Sequence, residues 1–213
     1  TQAHNFTNEG GAFGRTLFMK NLTGLWLVQE CRRQWQKLGL DVRYDMLARQ
    51  AEKVEPFRSL IHLDDPLFLS PGDMPARIAH FCRQTGQPGP ETSGEMMRCI
   101  LESLPLVYRH TIRGMERSLG RNLPVIHIIG GGSQNDLLNQ MAADATGKTV
   151  IAGPVEATAI GNIAIQLVTL GVFAGREEAR AAIHRSFEPR RFEPKPAADW
   201  DAAYERWRQI AGY

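Results

Sequence analysis

Three consecutive glycines, Gly130, Gly131 and Gly132, separate an apolar run from Ser133, Gln134 and Asn135 in the stretch HIIGGGSQND at residues 127–136. Glycine has no Cβ, so the chain can take positive φ there and a ligand can touch the main chain. If the apolar run is a strand and the following residues open a helix, the helix's free N–H groups and positive dipole end face the same spot. The chemistry that suits such a place is binding of a phosphate or of the sugar of a nucleotide. A tight turn with no ligand is the competing reading. The stretch matches neither G-x-G-x-x-G nor G-x-x-x-x-G-K-[ST], so neither common phosphate motif supports it.

Two further groups of residues bear on the same chemistry. In VIAGPVEATAIGNIAIQ, residues 150–166, Gly153 and Pro154 close a strand and Glu156 opens a helix. Ala157, Ala159, Gly161 and Ala164 would let that helix approach a neighbour closely, and tight packing alone accounts for each of them singly. Glu156 reads as ordinary complementation of a helix dipole. Asn21 and Gln29 lie eight residues apart, close to two helical turns, so both can face one direction. Two amides on one face could read a sugar or a base; a cap at Asn21 and a solvated Gln29 is the alternative.

The histidines, at 4, 62, 80, 110, 127 and 184, form no H-x-x-x-H or Cys/His cluster, which argues against a metal site. His62, Asp64 and Asp65 read as a polar loop. G-x-S-x-G is missing, which removes a serine-hydrolase elbow.

These residues need elements to hold them. NFTNEG and RTLFM, on either side of GAFG, read as a hairpin. Leu22, Leu25, Trp26, Val28 and Cys31 have helical spacing, with Asn21 or Thr23 as the cap and Gly39 as the stop. Helices are predicted over roughly 43–53 and 74–85, with a long loop over 54–75. The longest helical pattern covers 91–119, and Pro105 predicts a kink or a local break in it. Beyond Gly120 the pattern alternates: a buried strand at 125–129, the glycine turn, a helix over 134–146, a strand at 149–152 and a helix over 156–170. A helix from Arg176 to about His184, an extended polar stretch and a last helix over 199–210 complete the chain. Trp200, Tyr204 and Trp207 share one face of that last helix and should pack it onto the domain. Helices first and an alternating β/α unit afterwards make an α/β domain with a helical insertion.

Composition limits the function classes. The 213 residues are 43% hydrophobic and 23% charged, enough for a sizeable core. A net charge of +2 argues against a protein that coats nucleic acid or anionic membrane. No apolar stretch reaches the length of a membrane span. Cys31, Cys82 and Cys99 are too few for a disulfide framework. A Cys82–Cys99 pair and buried thiols are both open. The start, TQAHNFTNEGG from Thr1, has no initiator Met and no secretory pattern, so a chain beginning inside a larger protein is expected, with a trimmed N-terminus as the alternative.

NFTNEGG, KNLTGLWLVQECRRQW, HIIGGGSQNDLLNQMAADATGKTVIAGPVEATAIGNIAIQLVTLG and the closing YERW together resemble the C-terminal half of the rhamnulokinases, a group of FGGY-type carbohydrate kinases in the actin-like, RNase-H-like ATPase superfamily. The resemblance covers nearly the whole chain. It implies an α/β, RNase-H-like (actin-like ATPase) fold with a helical insertion, and a cytoplasmic enzyme. It implies transfer of a phosphoryl group from ATP, with Mg²⁺, to the 1-hydroxyl of L-rhamnulose in rhamnose catabolism. A kinase for another ketose of the family, or a catalytically incomplete nucleotide-binding domain, is the alternative.

Carried over residue by residue, the resemblance places Gly130, Gly131 and Gly132 on the adenosine side of the nucleotide, with Gly131 foremost. Gln29 matches an ATP-contacting position, Asn135 lies beside the nucleotide, and Asn21 matches a position assigned to substrate. The family's general base, an Asp in an H-D-T motif, and its phosphate-holding S-S-G-T-W hairpin fall before NFTNEGG, so the resemblance puts the base upstream of Thr1. The expectation is therefore a chain, residues 1–213, that carries the nucleotide-side domain, meets L-rhamnulose through an N-terminal sugar-binding domain outside it, and has no catalytic residue of its own. It is expected to be inactive alone.

Overall fold

The computed structural model describes residues 5–195 and 199–213. Thr1, upstream of which the resemblance puts the general-base Asp, lies outside the described residues, so the position of that base is an expectation from the resemblance alone. Strands Thr7–Gly10 (β1) and Thr16–Met19 (β2) come first, then helices Trp26–Lys37 (α1), Tyr44–Glu52 (α2), Met74–Gln84 (α3) and Ser93–Leu119 (α4). There follow Val125–Ile128 (β3), a 3₁₀ turn at Gly130–Gln134, Asp136–Thr146 (α5), Thr149–Ala152 (β4), Ala157–Thr169 (α6), Arg176–Ser186 (α7), Arg190–Phe192 (β5) and Trp200–Ala211 (α8). The described residues make two compact units: one runs to Leu123 and takes back α8, the other begins at Pro124.

In the first unit β1 and β2 pair antiparallel, Thr7 opposite Met19, as the hairpin reading required. α1 starts later than its spacing suggested. Leu25 stands at its N-terminus without a side-chain cap, and the N–H of Thr23 donates to Asp64 at 2.9 Å instead. Asn21 is therefore neither a cap nor part of the helix. α4 opens on a capping box: the Thr92 hydroxyl accepts the Glu95 N–H at 3.2 Å, and the Glu95 carboxylate accepts the Thr92 N–H at 3.1 Å. It runs through Pro105 to Leu119 as one helix, so of the kink or local break expected there the break does not occur. Leu101, Leu104 and Leu106 are fully buried around that position. Their packing holds the helix across the one missing N–H donor.

The stretch read as a long loop over 54–75 ends at Asp73, the cap of α3, and contributes Leu60, Ile61, Leu63 and Phe68 to the core, all fully buried. Buried backbone must be hydrogen-bonded, and here side chains replace a ladder. Gln87 brackets Leu60, accepting its N–H and donating to its C=O, each at 2.8 Å. The Ile61 N–H donates to Ser103 Oγ at 2.9 Å, and the Ile61 C=O accepts the Trp207 indole N–H at 3.0 Å. Trp200, Tyr204 and Trp207 are all buried, so α8 docks as its aromatic face predicted. All three cysteines are free and buried. Burial pushes the Cys31 thiol well up.

In the second unit the sheet order is β3-β4-β5, with β3 parallel and β5 antiparallel to β4. β4 is central, and its Val150 and Ala152 are buried under α5, which contributes Leu138, Met141, Ala142 and Ala145. β3 has the composition of a buried strand but is an edge strand: Val125 is 38% and the adjoining Ile129 53% exposed. The stretch after α7, read as merely extended, supplies β5. A Cβ on Gly161 of α6 would meet nothing within 4 Å, so the small residues there make no tight approach at that point.

Candidate functional site

The glycine turn sits at the C-terminal end of β3, as the sequence required, but it enters α5 through a 3₁₀ turn rather than directly. Gln134 is the last residue of that turn, Asn135 is the cap, and α5 begins at Asp136. Gly130 has φ +73°, a conformation in which an L side chain is strained. Gly131 is different. It is exposed, its φ lies outside that region, and a Cβ built on it would meet nothing within 4 Å. Nothing among the described residues asks for glycine at 131, whereas a ligand lying on the turn would.

The turn is fastened on several sides. The Gly130 N–H donates to the Pro154 C=O at 3.3 Å, and the Asn135 N–H donates to the Gly132 C=O at 3.2 Å. Ser133 is buried, and its hydroxyl donates to the Gly130 C=O at 2.7 Å. The Ser133 C=O accepts the side-chain amide of Asn139 at 2.9 Å and the guanidinium of Arg190 at 2.5 Å. Asn139 is fully buried, and its Oδ1 has no hydrogen-bond partner among the described residues.

The N-terminus of α5 is already partly satisfied by side chains of the chain itself. Asn135 Oδ1 accepts the Leu138 N–H at 3.0 Å, which removes one of the free donors at the start of α5. Asp136 already places a carboxylate in the first turn, ion-paired with Arg190. An anion arriving there would meet that carboxylate together with its Arg190 partner.

Gln29 and Asn21 belong to the other unit. Gln29 is an exposed residue of α1, its N–H bonded to the Leu25 C=O at 3.1 Å. Asn21 is exposed on the segment between β2 and α1. The expectation that both amides share one helical face fails, because only Gln29 is helical. Beside Gln29, Glu30 is almost fully buried, paired with Arg33 at 2.5 Å and accepting the Gly72 N–H at 3.4 Å. Among the described residues no three or more His, Cys, Asp or Glu side chains gather as a metal ion would need, and no helix is long and apolar enough to cross a membrane.

Sequence reading missed Asn139 and Arg190. Asn139 stands seven residues after Gly132, within reach of pattern reading as a polar position on the apolar face of α5. Arg190 carries no such signal, since 57 residues separate it from Ser133.

Comparison with known proteins gives a consistent result. A family model described as the C-terminal domain of the FGGY family of carbohydrate kinases matches residues 2–170. The chain is 47% identical over 204 residues to a rhamnulokinase of Bacteroides thetaiotaomicron, covering 96% of this chain and 41% of that protein. It is 42% identical over 192 residues to a rhamnulokinase of Bacillus subtilis, covering 90% of this chain and 39% of that one. The chain thus spans about two fifths of the length of these relatives. Among solved structures, a xylulose kinase from Rhodospirillum rubrum superposes with a TM-score of 0.59 at 16% identity, covering 98% of this chain and 42% of that one. A ligand-bound xylulose kinase from Lactobacillus acidophilus gives 0.59 at 12% identity, covering 98% and 40%. At such identities the likeness is one of fold, and it agrees with the α/β, actin-like class that the sequence blocks implied.

Proposed function

The chain belongs to the FGGY family of carbohydrate kinases, and on that premise we propose that its glycine turn holds the adenosine side of ATP in a kinase that phosphorylates the 1-hydroxyl of L-rhamnulose. Gly131 carries this reading: it is exposed backbone that the fold leaves open and does not need to be glycine. Gly130 and Gly132 flank it, and Asn135, partly exposed at the end of the turn, lies where a nucleotide on Gly131 would pass. Gln29 is assigned to ATP and Asn21 to the sugar, both from exposed positions in the first unit.

Phosphoryl transfer is accelerated chiefly by holding the reactants in line and by neutralising the charge on the transferring group. This chain's share is to fix the nucleoside. ATP brings Mg²⁺, held by its phosphates and by water, and the described residues gather no site for that ion. The base for the sugar hydroxyl and most sugar contacts are assigned to the rest of a kinase of the relatives' length, the base to the part that would precede Thr1. The relatives named rhamnulokinase, at 42–47% identity, favour L-rhamnulose over xylulose, for which the likeness is one of fold alone.

Calorimetric titration of the 213-residue chain with millimolar ATP tests the reading. Binding heat that Gly131→Val removes is expected, and a titration with no heat would end it. For the reaction, these residues joined to the first part of the Bacteroides thetaiotaomicron relative should release ADP faster with L-rhamnulose than with L-fuculose or xylulose. Equal rates would withdraw the sugar assignment. The 213 residues alone should release none, and clear turnover would contradict the division of labour.

A further inference from the structure

A nucleotide resting on exposed glycine backbone gains most when that backbone is already in its bound shape. The Gly130–Gln134 turn has little side-chain packing of its own to keep it there, since only Ser133 in it is buried. Its central fastening is the Ser133 carbonyl, whose two lone pairs are both used, one by Asn139 of α5 and one by Arg190 of β5. Arg190 lies opposite Ala152 in the β4–β5 register, so the sheet itself sets its position. The same guanidinium also reaches Asp136 in the first turn of α5. One side chain thereby ties the turn, the helix that follows it and the edge strand.

Resting on the nucleotide reading of Gly131, we propose that Arg190 is a positioning residue for ATP: it holds the glycine turn in its binding shape through the Ser133 carbonyl and does not itself touch the nucleotide. The neighbouring Arg191 supplies an internal control. It carries the same charge on the same strand but is ion-paired with Glu193. The pairing of Arg190 with Asp136 is exposed, the two side chains being 49% and 62% accessible, so it contributes little. The bond to the Ser133 carbonyl is the one that matters.

The test titrates the 213-residue chain with ATP and follows amide exchange at residues 130–136. Arg190→Gln should weaken ATP about tenfold, the loss of one charge-assisted hydrogen bond's worth of preorganisation. It should also speed exchange of the Asn135 N–H while leaving that of β4 unchanged. Arg190→Lys, which keeps one donor, should recover part of the affinity. Arg191→Gln and Asp136→Asn should stay within about twofold of the unsubstituted chain. Unchanged affinity in Arg190→Gln would overturn the proposal, as would equal weakening by Arg190→Gln and Arg191→Gln, which would make the effect one of net charge. Failure of the unsubstituted chain to bind ATP would instead sink the nucleotide reading on which the proposal rests.

Discussion

Adjacent glycines in the turn should respond to the same substitution in opposite ways. Gly130 has φ +73°, and a Cβ there would meet nothing within 4 Å. The cost of Gly130→Ala is therefore backbone strain alone, about 1–2 kcal/mol. Gly131 has the same open space without the positive φ. Gly131→Ala should therefore be neutral or stabilise by about 0.4–1 kcal/mol, through loss of freedom in the unfolded chain. In a unit of this size each kcal/mol moves the midpoint by roughly 4–8 °C. Scanning calorimetry should show the second unit of Gly130→Ala melting clearly earlier, and that of Gly131→Ala melting no earlier than before. ATP titration should reverse the order, because the Gly131 methyl would occupy the space assigned to the nucleoside. If Gly131→Ala lowers the midpoint as much as Gly130→Ala, glycine at 131 serves the fold and the ligand argument fails. Undiminished ATP binding by Gly131→Ala would refute it equally.

The first unit supports two more predictions. Glu102 is buried, bonded to the Phe57 N–H at 2.8 Å and to Arg98 at 2.5 Å, and burial pushes its carboxyl above the usual carboxylate range despite Arg98. A raised folded-state pKa contributes stability below the unfolded value, and that stability is lost as pH rises through the folded one. In urea titrations the advantage of the wild type over Glu102→Gln should therefore shrink between acid and neutral pH; a constant gap would show that folding does not shift the Glu102 pKa. Trp207 is 1% exposed and donates to the buried Ile61 carbonyl. Trp207→Ala should cost about 3–5 kcal/mol in urea unfolding, whereas Trp207→Phe, which loses chiefly the hydrogen bond, should cost about 1–3 kcal/mol.

Helices with a clear apolar face were legible in the sequence because burial sets them: α3, α4 and α8 lie where their spacing put them, and the hairpin was announced by GAFG. Boundaries that depend on distant partners were not legible. α1 begins at Trp26 and not near Leu22 because Thr23 is tied to Asp64, 41 residues on. β5 is made of Arg190, Arg191 and Phe192, residues with no local strand pattern, and exists because β4 offers it an edge. β3 has the apolar composition of a buried strand yet is exposed, since composition reports what could be covered and not what covers it. At the candidate site the glycines could be read from their own order. The side chains that fasten them come from α5 and β5, and only the fold brings those to Ser133.

The return of α8 to the first unit also sets an order in time. Trp207 closes on Ile61, and Arg109 on the Trp200 carbonyl, across 146 and 91 residues of chain. All of the second unit is translated between those partners. At about 5–20 residues per second, roughly 4–15 s pass between the emergence of Leu123 and that of α8. Throughout that interval the partners of Trp207 on the nascent chain, the Ile61 carbonyl and the His62 and His110 rings, stand uncovered. The second unit, by contrast, has all its strands before α8 appears. The ribosome therefore delivers the glycine turn as a finished piece while the older, larger unit still awaits its last helix.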